Sequence, residues 1–254
     1  MTQAEQAVAF AALHQKGNPL NLYNIWDAGS ARVIVGAGAK AVATGSWSVA
    51  ASQGFDDGEQ LPLEMALMTI HRICKSVDVP VSLDFEGAYA TGPTAVATNV
   101  TRAMKLGVVG INLEDQVVGG KGLYKLADQV KRIAAARAAA QEFGIELFIN
   151  ARTDVFLNEP NREWHAGLMP HAMERLSAYA DAGASGLFVP GLVDGALIGR
   201  LCDAYDLPLN VMRVPDALPL AELTELGVAR ISHGPGPYRQ AMHDLALSYL
   251  AGMT

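Results

Sequence analysis

What most constrains the fold is an alternation that runs the length of the chain. Short apolar runs bounded by turn residues lie at 20–23, 41–44, 79–84, 110–113, 147–151, 186–189, 209–211 and 229–232, and segments of helical spacing separate them. Short runs without a polar face read as strands of a parallel sheet covered by helices. Eight such units predict a (β/α)8 TIM-type barrel rather than a doubly wound sheet, because no glycine-rich dinucleotide fingerprint follows the first run. The glycines of GAGAK at 36–40 come after a helix and read as a turn. A chain of 254 residues, half of them hydrophobic, can fill one such core, and the expected organisation is one barrel domain over 1–254.

Between the runs, the Ala- and Arg-rich segment from Lys125 to Phe143 is a helix stopped by Gly144. Pro62 opens another, with Met65, Met68, Ile70 and Ile73 as its apolar residues. The stretch GSWSVAASQGFDDGEQ reads as a long connection, and ARTDVFLNEPNREWHAGLMP as a second that delays the next helix to His171.

Function in a barrel is built at the C-terminal ends of the strands, and here those ends are polar: Asn24, Ser46, Asp84, Glu114, Arg152, Asn210 and His233. VSLDFEGAY (81–89) and INLEDQ (111–116) should bring Asp84, Glu86, Glu114 and Asp115 to one mouth. Two like charges ~4 Å apart repel by roughly 4 kcal/mol at an effective dielectric of ~20, so such a cluster calls for a cation or a proton. Oxygen donors without a nearby His or Cys suit a hard cation, magnesium, with manganese as a substitute. The alternative reading is a set of ordinary solvated acids at strand ends. His233 has the same two readings, as a contact for an anionic substrate beside Arg239 or as a structural strand-end residue.

A formal charge of -7 provides no basic stripe to displace phosphate counterions, which argues against nucleic acid as a partner. An anionic substrate would need arginine or metal. The two cysteines, Cys74 and Cys202, have no metal-ligand spacing and read as buried free thiols. TQAEQAVAFAALHQK at the start is amphipathic without a cleavage pattern, and no run of ~18 apolar residues occurs, so a soluble cytoplasmic protein without a membrane partner is expected.

Taken together and in order, WDAGSARVIVGAGAKAVATGS, GFDDGE, VSLDFEGAY, INLEDQ, FINARTD and AYADAGASGLFVPG resemble the isocitrate lyase and phosphoenolpyruvate mutase superfamily over nearly the whole chain. The resemblance implies a magnesium-dependent barrel, a dimer or tetramer whose C-terminal helix is exchanged between subunits. It also implies making or breaking C–C or P–C bonds of small 2-keto or 2-hydroxy acids through an enolate. By it, Asp84 matches the direct metal ligand, and Glu86 and Glu114 match acids that hold the metal through water. Gly45, Ser46 and Trp47 match the loop that grips the substrate carboxylate. Arg152 matches an arginine on the substrate oxygens and is expected to be no structural ion pair, and Asp57 matches an acid near the reacting centre.

Three departures narrow the expectation. The acid pair is Asp84-x-Glu86 where Asp-x-Asp is usual, and Ala88-Tyr89-Ala90 replaces a glycine-tyrosine-glycine. The loop QVVGGKGLY (116–124) offers Lys121 and Tyr124 in place of the lyases' lysine-cysteine-glycine-histidine, and lysine and tyrosine ordinarily titrate near pH ~10, far from a neutral-pH proton donor. Gly119, Gly120 and Gly122 would let that loop move as a lid. The expected activity is therefore a lyase or decarboxylase of an oxaloacetate type, with Lys121 as the loop's catalytic candidate. Phosphonopyruvate hydrolysis or phosphoenolpyruvate mutation is the second expectation, and an idle barrel that binds a keto acid the third.

Overall fold

In the computed structural model, which describes residues 1–253, every one of the eight expected runs is a strand. The order is α1 (Gln3–Ala12), β1 (Leu20–Leu22), β2 (Asn24–Ile25), α2 (Ala28–Gly36), β3 (Val42–Thr44), α3 (Ser46–Ser52), α4 (Leu63–Ser76), β4 (Val81–Asp84), α5 (Pro93–Lys105) and β5 (Gly110–Glu114). Then follow α6 (Leu126–Phe143), β6 (Phe148–Arg152), α7 (His165–Asp181), β7 (Gly186–Phe188), α8 (Gly195–Ala204), β8 (Leu209–Met212), α9 (Leu220–Glu225), β9 (Arg230–Ser232) and α10 (Gly236–Ala251). The expected barrel domain reaches Thr254, which lies outside the described residues.

Each strand pairs in parallel with the next, from β2 through to β9. β1 then pairs with β9, and only Tyr23 separates β1 from β2, so the two are halves of one strand and the ring closes on itself. Closure leaves no sheet edge unpaired. Alternation along each strand sorts the side chains. On β5, Ile111 and Leu113 join the apolar layer under the helices, while Asn112 points into the barrel and bonds to Asp84 and Asn150.

The barrel is plugged from below by α1, whose Phe10 packs edge-on against Phe148 while His14 stacks on the same ring at 4.0 Å. Leu22, Ala43 and Val109 complete this plug. Truncating a phenylalanine so enclosed costs roughly 3–5 kcal/mol. Gly110 is required here, because a Cβ would stand 2.6 Å from the Phe10 ring. Above the plug lies a polar layer: the Asn112 carbonyl accepts from Asn150 at 2.8 Å and from Arg230 at 3.2 Å, and Asn210 bonds to Ser232.

Local sequence explains where the helices begin and stop. Asp27 and Ser30 form a reciprocal capping box on α2, Pro93 opens α5 where its missing N–H is not needed, and Gly144, at φ 84°, ends α6 in the left-handed region. Three expectations need correction. α3 lies inside the stretch read as a long connection, built by the small residues after Gly45. α7 starts at His165, because Pro170 is accommodated inside it at the loss of one backbone hydrogen bond. On α4 the buried face is Leu67, Ile70 and Ile73, leaving Met65 and Met68 in solvent.

α10 leaves its own barrel. Its buried residue is Pro237 in the first turn, whereas Leu245, Tyr249 and Leu250 are 60% exposed or more. An apolar cleft of about 310 Å³, lined by Tyr23, Trp26, Val33 and Ile34 among others, opens beside β2 and α2. Among the described residues no helix is long and apolar enough to cross a membrane.

Candidate active site at the barrel mouth

Five acids and one arginine meet at the C-terminal ends of β4, β5 and β6. Asp84 ends β4 with both oxygens engaged: Oδ1 accepts from the Asn112 amide at 3.1 Å and Oδ2 from the Ser46 backbone N–H at 3.0 Å. Glu86 is buried two residues on, and its Oε2 accepts from the Glu59 backbone N–H at 2.9 Å. Glu114 ends β5, buried, with Oε2 3.0 Å from Arg152 Nη1. Arg152 ends β6 and forks onto Asp154, Nε to Oδ1 at 2.5 Å and Nη2 to Oδ2 at 2.8 Å. Asp57 stands at the exposed rim, facing the Ser46 hydroxyl and the charge of Asp84. Asp57, Glu86, Glu114, Arg152 and Asp154 line a cleft of about 290 Å³ with Val117, Val118 and Leu157, room for a small acid, while Asp84 lines an adjoining pocket that shares Ser46 and Glu86 with it.

The charges are not balanced. Burial pushes Glu86 up to about 9, reinforced by Asp57, Glu114, Asp84 and Glu59. Burial also raises Glu114, against the downward pull of Arg152 and with Asp154 and Asp84 adding to the rise. Asp57, although at the exposed rim, is raised by partial desolvation and then by Asp84, and Asp154 is raised by burial despite Arg152. Arg152 itself, although burial disfavours its charge, is held protonated by Glu114 and Asp154. One arginine does not neutralise this set, so the mouth takes up either protons or a cation. The donors are all oxygens, which suits magnesium. Among the described residues no three acids stand close enough to form a ready cage. The donor set therefore fits a cation touched by one carboxylate and held by the others through water, as magnesium commonly is.

Other residues singled out from the sequence fall as follows. The Gly45 N–H donates to the Ile25 carbonyl at 3.2 Å and the Ser46 N–H to Asp84, so neither amide is open to a substrate carboxylate in this conformation. The Trp47 ring lies under the Arg239 guanidinium at 4.6 Å. Lys121 is exposed and is not among the residues lining the cleft. Its loop is a hairpin in which Gln116 pairs with Leu123 and the Val117 N–H bonds the Gly122 carbonyl at 2.9 Å. Asn210 sits in the polar layer, 1% exposed and bonded to Ser232, below the mouth. His233 meets the Asn21 side chain at 2.6 Å, and burial with the nearby Arg213 lowers it to about 4, so its ring is neutral at ordinary pH.

Two expectations are overturned. Asp115 does not converge with the other acids; it points away into a buried network with Arg175, Thr153 and Tyr179. Arg152 is an ion-paired residue, bound to Glu114 and Asp154. Two contributors were missed. Glu59, the last acid of GFDDGE, accepts from the Tyr89 N–H at 2.7 Å and so interlocks with the Glu86 loop. Asn158, beyond β6, lines the cleft and donates to Gln116 at 2.7 Å. The motif holding Glu59 was visible in the sequence, whereas nothing in the sequence marked Asn158.

Four similarities to known proteins bear on this geometry. A family model for phosphoenolpyruvate phosphomutase matches residues 10–250. A solved structure from Burkholderia cenocepacia J2315, provisionally named a phosphonomutase, is 48% identical with a TM-score of 0.95, covering 98% of this chain and 99% of that one. An uncharacterized protein of Mycobacterium tuberculosis is 34% identical over 245 residues, 94% of this chain and 86% of the relative. The 2-methylisocitrate lyase of Escherichia coli K12 is 30% identical over 227 residues, 86% of this chain and 70% of the enzyme.

Proposed function

The chain belongs to the phosphoenolpyruvate phosphomutase family, within the isocitrate lyase and phosphoenolpyruvate mutase superfamily, and from that premise we propose a magnesium-dependent lyase or decarboxylase of a small 2-oxo or 2-hydroxy acid, oxaloacetate-like. Asp84 is the ligand we assign to the metal, with Glu86 and Glu114 behind water. Bound there, magnesium supplies a Lewis acid for a developing enolate oxygen, worth several kcal/mol in such reactions.

The chain's own residues do the rest. Two of the five N–H groups of Arg152 are taken by Asp154, which fixes the plane of the guanidinium, and Nη1 stands 3.0 Å from its ion partner Glu114, so part of the fork is left for substrate oxygens. Asp57, with its proton affinity raised, stands where it can hold or release a proton at the rim. The 116–124 hairpin closes one wall and keeps water from the enolate.

The observation that carries the decarboxylase reading is what that hairpin presents to the cleft: Gln116, Val117, Val118, Gly119 and Gly120. None can protonate a carbanion, which cleavage of a tricarboxylate requires at once. Decarboxylation asks less, since solvent can supply the proton after the hairpin opens. A specific observation also favours P–C chemistry as a second reading: Asn158 reaches the cleft, and the Burkholderia relative carries a phosphonomutase name.

The test is a side-by-side assay with magnesium on oxaloacetate, phosphonopyruvate, methylisocitrate and isocitrate. We expect pyruvate from oxaloacetate and little cleavage of the tricarboxylates. Rapid glyoxylate release from isocitrate would sink the hairpin argument, and pyruvate with phosphate from phosphonopyruvate would promote the second reading. The exposed apolar face of α10 supports a homo-oligomer in which this helix packs on a second copy.

A further inference from the structure

The segment that carries Glu86 is built against its own backbone preferences. Glu86, Ala88 and Tyr89 have φ of 49°, 60° and 51°, the left-handed region that residues with a Cβ avoid. Between them, Gly87 is tightly enclosed, since a Cβ would lie 3.0 Å from Glu59 Oε1 and 3.2 Å from Val118. Such a run persists only where surrounding groups over-determine it. From the cleft side it is held by Glu59, whose carboxylate accepts from Tyr89 and whose N–H donates to Glu86.

From behind it is held by Arg132 of α6, a fully buried arginine that touches neither the cleft nor any carboxylate. Its Nη2 donates to the Gly87 carbonyl at 2.8 Å, and its Nη1 to the carbonyls of Ala90 at 2.5 Å and Thr91 at 2.9 Å. Gln129 orients it, accepting from Nε at 2.9 Å and donating in turn to the Glu114 carbonyl at 3.0 Å. The guanidinium also lies over the Tyr124 ring at 4.2 Å, at the C-terminal foot of the hairpin. A buried cation with no carboxylate partner is costly, and this one spends its donors on the carbonyls of the left-handed loop and of Gln129. We infer that Arg132 is a positioning residue: it holds the left-handed loop so that Glu86 faces the mouth, and couples that loop to the foot of the hairpin. The inference rests on the metal reading above only for what Glu86 does.

Arg132→Lys keeps the charge and loses the fork. We expect it to weaken magnesium binding, measured by calorimetry, by at least about tenfold, and to speed amide hydrogen exchange across 86–91. Ala88→Gly removes the left-handed penalty at one position outside the mouth. In the Arg132→Lys background it should restore at least about threefold of the lost affinity, while changing the wild type by less than about twofold. A purely structural arginine would lower the melting temperature with no such rescue. If Arg132→Lys does not fold, Gln129→Leu should show a smaller loss with the same rescue. Magnesium affinity and exchange both unchanged in Arg132→Lys would overturn the proposal, as would a loss of affinity that Ala88→Gly does not restore. A wild-type chain that binds no magnesium would overturn the metal reading instead, and the exchange measurement would then decide the role of Arg132 alone.

Discussion

Glu114 and Asp115 are neighbours in sequence, yet they belong to two arginine clusters that stand on opposite sides of the barrel wall. On the inner side, Glu114 shares Arg152 with Asp154, in a cleft where Glu86 and Asp57 add further negative charge. On the outer side, Asp115 accepts from Arg175 Nε, the Thr153 hydroxyl and the Tyr179 hydroxyl, each at 2.7 Å, and from the Asp154 N–H at 2.9 Å. Arg175 also donates to the Tyr124 carbonyl at 2.6 Å, so this cluster ties α7 to the foot of the hairpin and to the end of β6. The outer acid is saturated and holds the scaffold. The inner acids are under-compensated, and that excess negative charge is what a cation can offset before an anionic substrate binds.

The largest expected effect tests the outer cluster. Asp115→Ala leaves Arg175 buried without its counter-charge and should cost about 3–5 kcal/mol of stability in denaturant unfolding. Glu114→Gln should cost the apo protein little or none, because it removes a buried charge. Equal losses in the two variants would erase the distinction.

A pH profile tests the inner cluster, with an effect of up to a few kcal/mol. Glu86 is raised from 4.5 to about 9 in the folded protein, so the stability tied to its neutral form is whole below about 4.5 and is lost as pH climbs through about 9. Apo protein should therefore weaken across that window, and saturating magnesium should flatten the slope. Melting curves at several pH values, with and without the metal, measure both. A flat apo profile would show that the inner acids are compensated after all.

Smaller still is the effect of Arg152→Lys, which retains the charge and loses the fork. Catalytic efficiency should fall by about tenfold or more, roughly 1.4 kcal/mol, with the fold intact. Because Arg152 is also ion-paired, a variant that unfolds would move it into the scaffold class with Arg175.

The sequence revealed the barrel because strand runs and helical spacing are local signals, and it revealed Asp84, Glu86 and Glu114 because strand ends are readable from where apolar runs stop. It misplaced Asp115, since a one-residue step on a strand reverses the face and the end of β5 is not legible to one residue. Arg132 went unnoticed for a different reason. On an Ala- and Arg-rich helix, nothing local distinguishes the arginine that turns inward from those that face solvent, and its carbonyl partners are set by left-handed backbone that no glycine announces at Glu86, Ala88 or Tyr89. Asn210 was read from its strand end as a mouth residue, but it lies two residues before the end of β8 and meets Ser232 instead.

Whether the inner acids hold magnesium through Asp84 is decided by calorimetric titration of magnesium into wild type and Asp84→Ala. With the melting temperature of the variant close to that of wild type, we expect saturable binding to the wild type and none to Asp84→Ala. Equal affinity in the two proteins would contradict that role for Asp84.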